Sequence, residues 1–224
     1  VEVSLDERTL VILVVAGLIS LTAFFVWLAW FQAKRRRQAW MAAALELDLR
    51  FQREDPSLVA RFGTFKLFTL GHSKRARNVL TGAVRGGQLC LADYKYVTGH
   101  GKNQTVHNQT LCILQAPRLK LPHFFLRRQR AMLDFLGKLF GGQDINFEED
   151  PQFSRAFVLQ GADEAAVRAK LQPSLRLSLM RYAGTGLQLE GQGDTLLFHE
   201  GRNHDPDKAR ELIERAHELL NLLG

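Results

Sequence analysis

The stretch RNVLTGAVRGGQLCLADYKYVT, Arg77 to Thr98, decides the fold. Arg77–Val84 and Gln88–Thr98 flank Arg85-Gly86-Gly87, where glycine accepts positive φ without steric penalty. The pattern predicts two long antiparallel strands joined by a tight turn. Working outward, Thr105–Gln115 (TVHNQTLCILQ) predicts a third strand. Arg118–Leu126 reads as extended around Pro122, and Thr64–Leu70 (TFKLFTL) as a further strand. Beyond it, Arg127–Phe140 reads as a helix closed by Gly141-Gly142. Phe153–Gln160, Leu187–Glu190 and Thr195–His199 read as strands. Asp163–Leu171 and Pro173–Tyr182 read as helices. Asp205-Pro206 opens a last helix whose Leu212, Ile213, Ala216, Leu219, Leu220 and Leu223 share one face. The sum is an α+β domain, an antiparallel sheet packed by helices.

Ahead of this domain, Thr9–Ala33 contains no charged residue. The 22 apolar positions from Leu10 to Phe31, broken only by Ser20 and Thr22, would span ~33 Å, enough for a bilayer core of ~30 Å. A signal peptide would follow a basic segment and end at small residues. Here the charged residues that precede the run are mostly acidic, and it closes on Trp27, Trp30 and then Lys34-Arg35-Arg36-Arg37. These six are membrane-interface candidates. Indole rings favour the bilayer boundary, and the basic cluster favours the cytoplasmic side. The expected organisation is an extracytoplasmic segment 1–8, a transmembrane helix 9–33, a helical stalk 34–54 and a cytoplasmic domain 55–224. Along the stalk, Trp40, Ala43, Ala44, Leu47 and Phe51 form a stripe that should pack on the domain.

The formal net charge is +7, but it is segregated. Between Pro56 and Arg130 stand 13 Lys or Arg and one acid, Asp93; from Ala131 onward stand 10 basic and 15 acidic residues. Either the halves compensate each other, or a basic face is kept for an anionic surface. Gly71-His72-Ser73-Lys74-Arg75-Ala76-Arg77 is the best anion-binding candidate, through His72, Ser73, Lys74, Arg75 and Arg77. Cys90 and Cys112 belong to no CxxC and read as buried free thiols.

TGHGKNQTVHNQT, Thr98 to Thr110, imitates three motifs. Gly101-Lys102 lacks the earlier glycine and the following hydroxyl of a phosphate-binding loop. Two sequons would fall on the cytoplasmic side, where they are not used. His100 and His107 have no nearby acid to complete a metal set. The stretch reads as a hairpin tip, with His100, Lys102 and Asn103 as partner-contact candidates. No nucleophile motif, metal motif, cofactor motif or nucleic-acid-binding motif appears. Phe51–Pro56 and Phe147–Pro151 echo one another. They mark either two related halves or one helix-start device used twice, and the second is preferred.

Two segments, DPQFSRAFVLQGADEAAVRAKLQPSLRLSLM from Asp150 and RARNVLTGAVRGGQLCLADYKYVTG from Arg75, resemble a family of uncharacterised bacterial proteins. These carry a soluble domain of unknown function behind N-terminal membrane helices. The resemblance implies a membrane-tethered bacterial domain without known catalytic residues. The expectation is a single-pass protein of the cytoplasmic membrane that acts by binding, as an accessory or assembly subunit. Its partners would be the bilayer and a membrane complex, with no cofactor, metal or nucleic acid. An anionic-lipid or anionic-ligand sensor is the alternative, and an enzyme of unrecognised class the second alternative.

Overall fold

The computed structural model describes residues 6–84, 86–129 and 144–224. The chain forms two compact units, residues 1–39 and 40–224. Helix α1 runs from Glu7 to Glu46. Leu10 to Phe31 is solvent-exposed apart from the half-buried Leu28, and the helix is long and apolar enough to cross a membrane. The hydroxyl of Thr22 donates to the Leu18 carbonyl at 2.7 Å, so this polar group is satisfied within the helix.

The second unit holds an eight-stranded sheet. Its strands are β1 (Arg50–Glu54), β2 (His72–Val84), β3 (Gly87–Thr98), β4 (Thr105–Gln115), β5 (Leu121–Arg128), β6 (Phe157–Gly161), β7 (Gln188–Gly193) and β8 (Thr195–His199). Their order is β1-β2-β3-β4-β8-β7-β5-β6, and every neighbouring pair is antiparallel. The helices are α2 (Leu58–Arg61), α3 (Lys66–Thr69), α4 (Pro151–Ala156), α5 (Glu164–Lys170), α6 (Pro173–Met180) and α7 (Ala209–Leu223).

Alternation along the strands divides the core between the two faces of the sheet. On the first face Leu89, Leu91, Cys112, Leu114, Phe124, Leu126, Leu196 and Phe198 meet Trp40, Ala43 and Ala44 of α1 and the apolar side of α7. α5 and α6 complete this layer with Val167, Leu175 and Leu179. Gly191 belongs to the packing, because a Cβ there would lie 2.4 Å from the Phe124 ring. The second face carries Ala92, Tyr94, Leu111, Ile113 and Leu197 beneath Leu58 of α2 and Leu67 and Phe68 of α3.

The predicted hairpin is present, with Arg85 outside the described residues. The tip between β3 and β4 is a 3-10 turn at Gly101–Asn103, and Gly99 and Gly101 take φ of 76° and 57°. Four expectations are corrected. The stalk helix stops at Glu46 because Asp48 turns left-handed (φ 53°) and Leu49 N–H reaches the Ala44 carbonyl at 2.8 Å. That is a glycine-type helix stop built with aspartate; Arg50–Glu54 then pairs with β2. Lys66–Thr69 is helical rather than extended, its first N–H held by the Glu190 carboxylate at 2.8 Å. Phe153 lies in α4, so the strand there begins only at Phe157. Arg127 and Arg128 end β5 rather than start a helix; Arg130–Phe140 and Gly141-Gly142 lie outside the described residues.

The echoed Asp-Pro pairs precede short helices with different bonds: Asp150 caps α4 itself, while Asp55 closes a turn just ahead of α2, whose first cap position is Ser57. Asp55 accepts from Ser57 N–H at 2.9 Å, and Asp150 from Phe153 N–H at 3.1 Å.

Candidate functional site

α2 and α3 are too short to cover the whole second face of the sheet. They cap β2, β3 and β4, and a cavity of about 570 Å³ opens where they stop. Its floor comes from alternate positions of strands distant in sequence: Tyr96 of β3, Gln109 of β4, Phe125 and Arg127 of β5, Glu190 of β7, and Leu197 and His199 of β8. Its walls are Lys66, Leu67 and Leu70 around α3, with Thr98, Gly99, Asn103 and His107 from the β3–β4 hairpin end.

The polar groups in this cavity are buried. Lys66, Gln109, Arg127, Glu190 and His199 are 4%, 3%, 6%, 1% and 6% exposed. Glu190 accepts from Lys66 N–H and stands 3.0 Å from His123 Nε2. Burial raises its pKa above the ordinary carboxylate value, and these hydrogen bonds oppose the rise. Lys66 Nζ lies 4.4 Å from the centroid of the Phe125 ring, a cation–π contact. Burial, and then the charge of Arg127, bring its pKa down to about 8 against the pull of Glu190. Burial brings His199 down to about 4 although Glu200 opposes it. It is therefore neutral at pH 7. Its Nδ1 accepts from Gly201 N–H at 3.2 Å, which leaves the proton on Nε2. Gln109 Nε2 is buried without a hydrogen-bond partner among the described residues.

The sequence-derived candidates fall elsewhere or at the rim. Of the anion candidate, Gly71 precedes β2 and His72–Arg77 form its start, with a bulge between His72 and Arg75. Lys74 Nζ donates to the Phe68 carbonyl at 2.6 Å and so fastens α3 to the sheet. Ser73 takes φ 54°, its hydroxyl 3.0 Å from His72 Nδ1. Arg75 and Arg77 are exposed, with Lys95 opposite Arg75 in register. His72 Nε2 lies 3.1 Å from the Gly99 carbonyl, and its ring stacks on His100 with centroids 5.4 Å apart. The structure thus joins the anion candidate to the hairpin tip, two regions the sequence treats separately. Asn103 lines the cavity mouth, while His100 and Lys102 are exposed on the tip. On α1, Lys34 Nζ sits 5.2 Å from the Trp30 ring and Arg35 5.9 Å from the Phe31 ring, while Trp27 stacks on Phe31. Arg36 and Arg37 follow on the same helix. Among the described residues, no three His, Cys, Asp or Glu side chains converge as a metal set.

Sequence reasoning missed the cavity. Its only local signals were polar residues at positions expected to be apolar in strand alternation, Gln109, Arg127, Glu190 and His199. It also undervalued Asp93, the one acid of the basic half. Asp93 accepts from Trp40 Nε1 at 3.0 Å, Asn78 Nδ2 at 2.9 Å and the Thr110 hydroxyl at 3.0 Å, and so fastens the end of α1 to the sheet.

No family model and no curated protein matches the sequence. Among solved structures, the chain is similar to the mycobacterial trehalose monomycolate transport factor A, TtfA. The TM-score is 0.55 at 13% identity, and the match covers 86% of this chain and 96% of that one. The likeness is one of fold.

Proposed function

We propose that this chain is a membrane-anchored accessory subunit of a transport assembly and acts by binding rather than catalysis. The observation that carries the proposal is the exposed apolar run of α1 preceding a domain that shares its fold with a transport factor. An apolar surface of this length is stable in lipid and not in water. The Lys34–Arg37 cluster favours a cytoplasmic domain at the cytoplasmic membrane, with residues 1–8 outside. Trp27 and Trp30 anchor the boundary, and the hairpin tip with His100, Lys102 and Asn103 is the proposed partner contact. The test is extraction in mild detergent followed by mass spectrometry of the purified material. A stoichiometric membrane partner supports the reading, and a lone monomer at every step sinks it.

One observation favours a second reading, contact with anionic lipid. Arg75, Arg77, Lys95 and Lys102 are exposed and make no ion pair among the described residues. Surface cations next to an anionic leaflet contribute ~1 kcal/mol each. Reversing Arg75, Arg77 and Lys95 to Glu should abolish attraction to anionic vesicles; unchanged binding rules the reading out. Lys74 is a poor target for this test because it holds α3.

A further inference from the structure

The sheet has two edges, and the described residues cover only one of them. β6 is buried from Phe157 to Gln160, and its Leu159 carbonyl accepts from Ile145 N–H at 2.8 Å. At the other edge Arg50, Gln52, Arg53 and Glu54 of β1 are exposed, and Phe51 is half-buried. The β1–β2 register is constant from Arg50↔Thr81 to Glu54↔Arg77, and Asp55 N–H reaches the Ala76 carbonyl at 3.1 Å. Counting back from Asp55, alternation turns the backbone groups of Arg53 and Phe51 toward β2, and those of Arg50, Gln52 and Glu54 outward. The outward Glu54 carbonyl is met by the Gln52 side chain at 2.7 Å, where a neighbouring strand would otherwise donate. The Arg50 guanidinium and the Glu54 carboxylate make no ion pair or hydrogen bond among the described residues. A charged edge ordinarily keeps other strands away. Here the order of the signs admits one partner in one register. Arg-Phe-Gln-Arg-Glu laid antiparallel on itself sets Arg50 against Glu54, Phe51 against Arg53 and Gln52 against Gln52.

We infer that β1 pairs antiparallel with β1 of a second copy of this chain, about a twofold axis at Gln52, and so joins two eight-stranded sheets. Arg50 lies opposite Glu54 of the second copy, Gln52 opposite Gln52, and Glu54 opposite Arg50. These are the positions whose N–H and C=O groups point outward, so each pair exchanges two backbone hydrogen bonds. The Arg50–Glu54 ion pair forms twice on one face. On the other face each Arg53 guanidinium reaches the Phe51 ring of the second copy. Parallel pairing would instead set Arg50 against Arg50 and Glu54 against Glu54. A two-residue slip would leave both ion pairs unmade. Met41 and Leu45 of α1, 50% and 86% exposed, add apolar surface beside the edge. They lie on the flank of α1 turned away from α7, which Glu46 meets through Arg210. A strand pair of this length is small for an interface, and two chains held in one bilayer meet at a raised effective concentration. That last step rests on the membrane-anchored reading.

The experiment uses the full chain in liposomes of zwitterionic lipid, with copper phenanthroline and oxygen as the oxidant. Cys90 and Cys112 are buried and supply no competing thiol. Gln52→Cys should cross-link as a disulfide dimer, because directly opposed Cα atoms stand ~5.5 Å apart, within disulfide reach. Glu54→Cys alone should not, because the two copies of that position lie ~13 Å apart along the strands. Arg50→Cys combined with Glu54→Cys should cross-link again. Sedimentation of the full chain in mild detergent gives the second readout. Arg50→Glu or Glu54→Arg alone should weaken the dimer about tenfold, and the two together should restore it. No cross-link at Gln52→Cys, or equal cross-linking at Glu54→Cys, overturns the inference. So does a paired charge exchange that leaves the dimer as weak as either single change. Circular dichroism melting checks each variant's fold, and the paired exchange keeps the test decisive because it preserves composition and net charge. A transport partner found without the Gln52→Cys cross-link leaves the subunit reading standing and overturns this inference; the cross-link without a partner does the reverse.

Discussion

Removing the carboxylate of Asp93 should release the end of α1 from the sheet. In the folded chain its Oδ2 accepts from Trp40 Nε1 and Asn78 Nδ2, and its Oδ1 accepts from the Thr110 hydroxyl. Thr110 in turn accepts from His204 N–H at 2.9 Å, so the network reaches the segment before α7. Asp93→Ala deprives three donors at once, and Trp40 is 0% exposed, so its indole N–H has no access to water. Each bond to a charged acceptor contributes ~1.5–3 kcal/mol, and bonds in one network are not additive. A total loss of about 2–4 kcal/mol follows, because three donors lose one shared acceptor within a single network. Trp40→Phe keeps most of the ring's packing and removes one donor, for about 1.5–3 kcal/mol. The two changes should couple in a double-mutant cycle by at least ~1 kcal/mol. The assay is reversible denaturation of the full chain in detergent, followed by near-UV circular dichroism and by protease cleavage at residues 47–49. A stability change below ~0.5 kcal/mol for Asp93→Ala, or zero coupling with Trp40→Phe, would refute the reasoning.

Other outcomes follow from the same structure. His199 is neutral and buried, with a folded pKa of about 4 against 6.5 unfolded. Its contribution is present above pH 6.5 and is lost as pH falls from 6.5 to 4, a drop of about 3 kcal/mol; His199→Gln should flatten that part of a stability–pH profile. Burial alone would raise the pKa of Glu200, but hydrogen bonds from His204, Arg202 and Arg215 hold it well below the usual carboxylate range. That contribution is present above the unfolded value near 4.5 and fades at more acid pH, so Glu200→Gln should cost ~3–5 kcal/mol at pH 7 and little at very low pH in urea unfolding. Gly99→Ala should cost ~1–3 kcal/mol, because a Cβ would stand 2.2 Å from the Asn103 carbonyl at φ 76°. Gly101→Ala, with open space around it, should cost only ~1 kcal/mol; thermal melting of the pair separates the two. Burial pushes Cys90 up to about 12 and holds Cys112 well above its ordinary value, so a thiol reagent should label neither until the chain unfolds.

Most of the strands were legible because their signals are local. Thr105–Gln115 reads as a strand and is one, residue for residue, and the hairpin glycines fall where the turn needs them. The stripe of Trp40, Ala43 and Ala44 does pack into the domain core. The failures also have local causes. Asp48 stops α1 in a conformation that usually signals glycine, so the helix appeared to continue into β1. Phe65 to Leu70 has the composition of a strand, yet it makes a helical turn because Glu190, 124 residues away, supplies the acceptor for its first N–H. The anion candidate looked like one cluster in sequence. Strand geometry and a bulge send Lys74 to α3 while Arg75 and Arg77 remain exposed.

The sequence by itself determined the uncharged helix, the antiparallel hairpins and the segregation of charge, because periodicity and composition act within a few turns of chain. Tertiary structure alone decided the strand order, in which β8 and β7 are inserted between β4 and β5. That insertion places Gln109, Arg127, Glu190 and His199 around one cavity. Each of them, read alone, is a polar residue in an otherwise apolar strand. They become a site only because pairing brings alternate positions of separate strands to the same face, beyond the reach of α3.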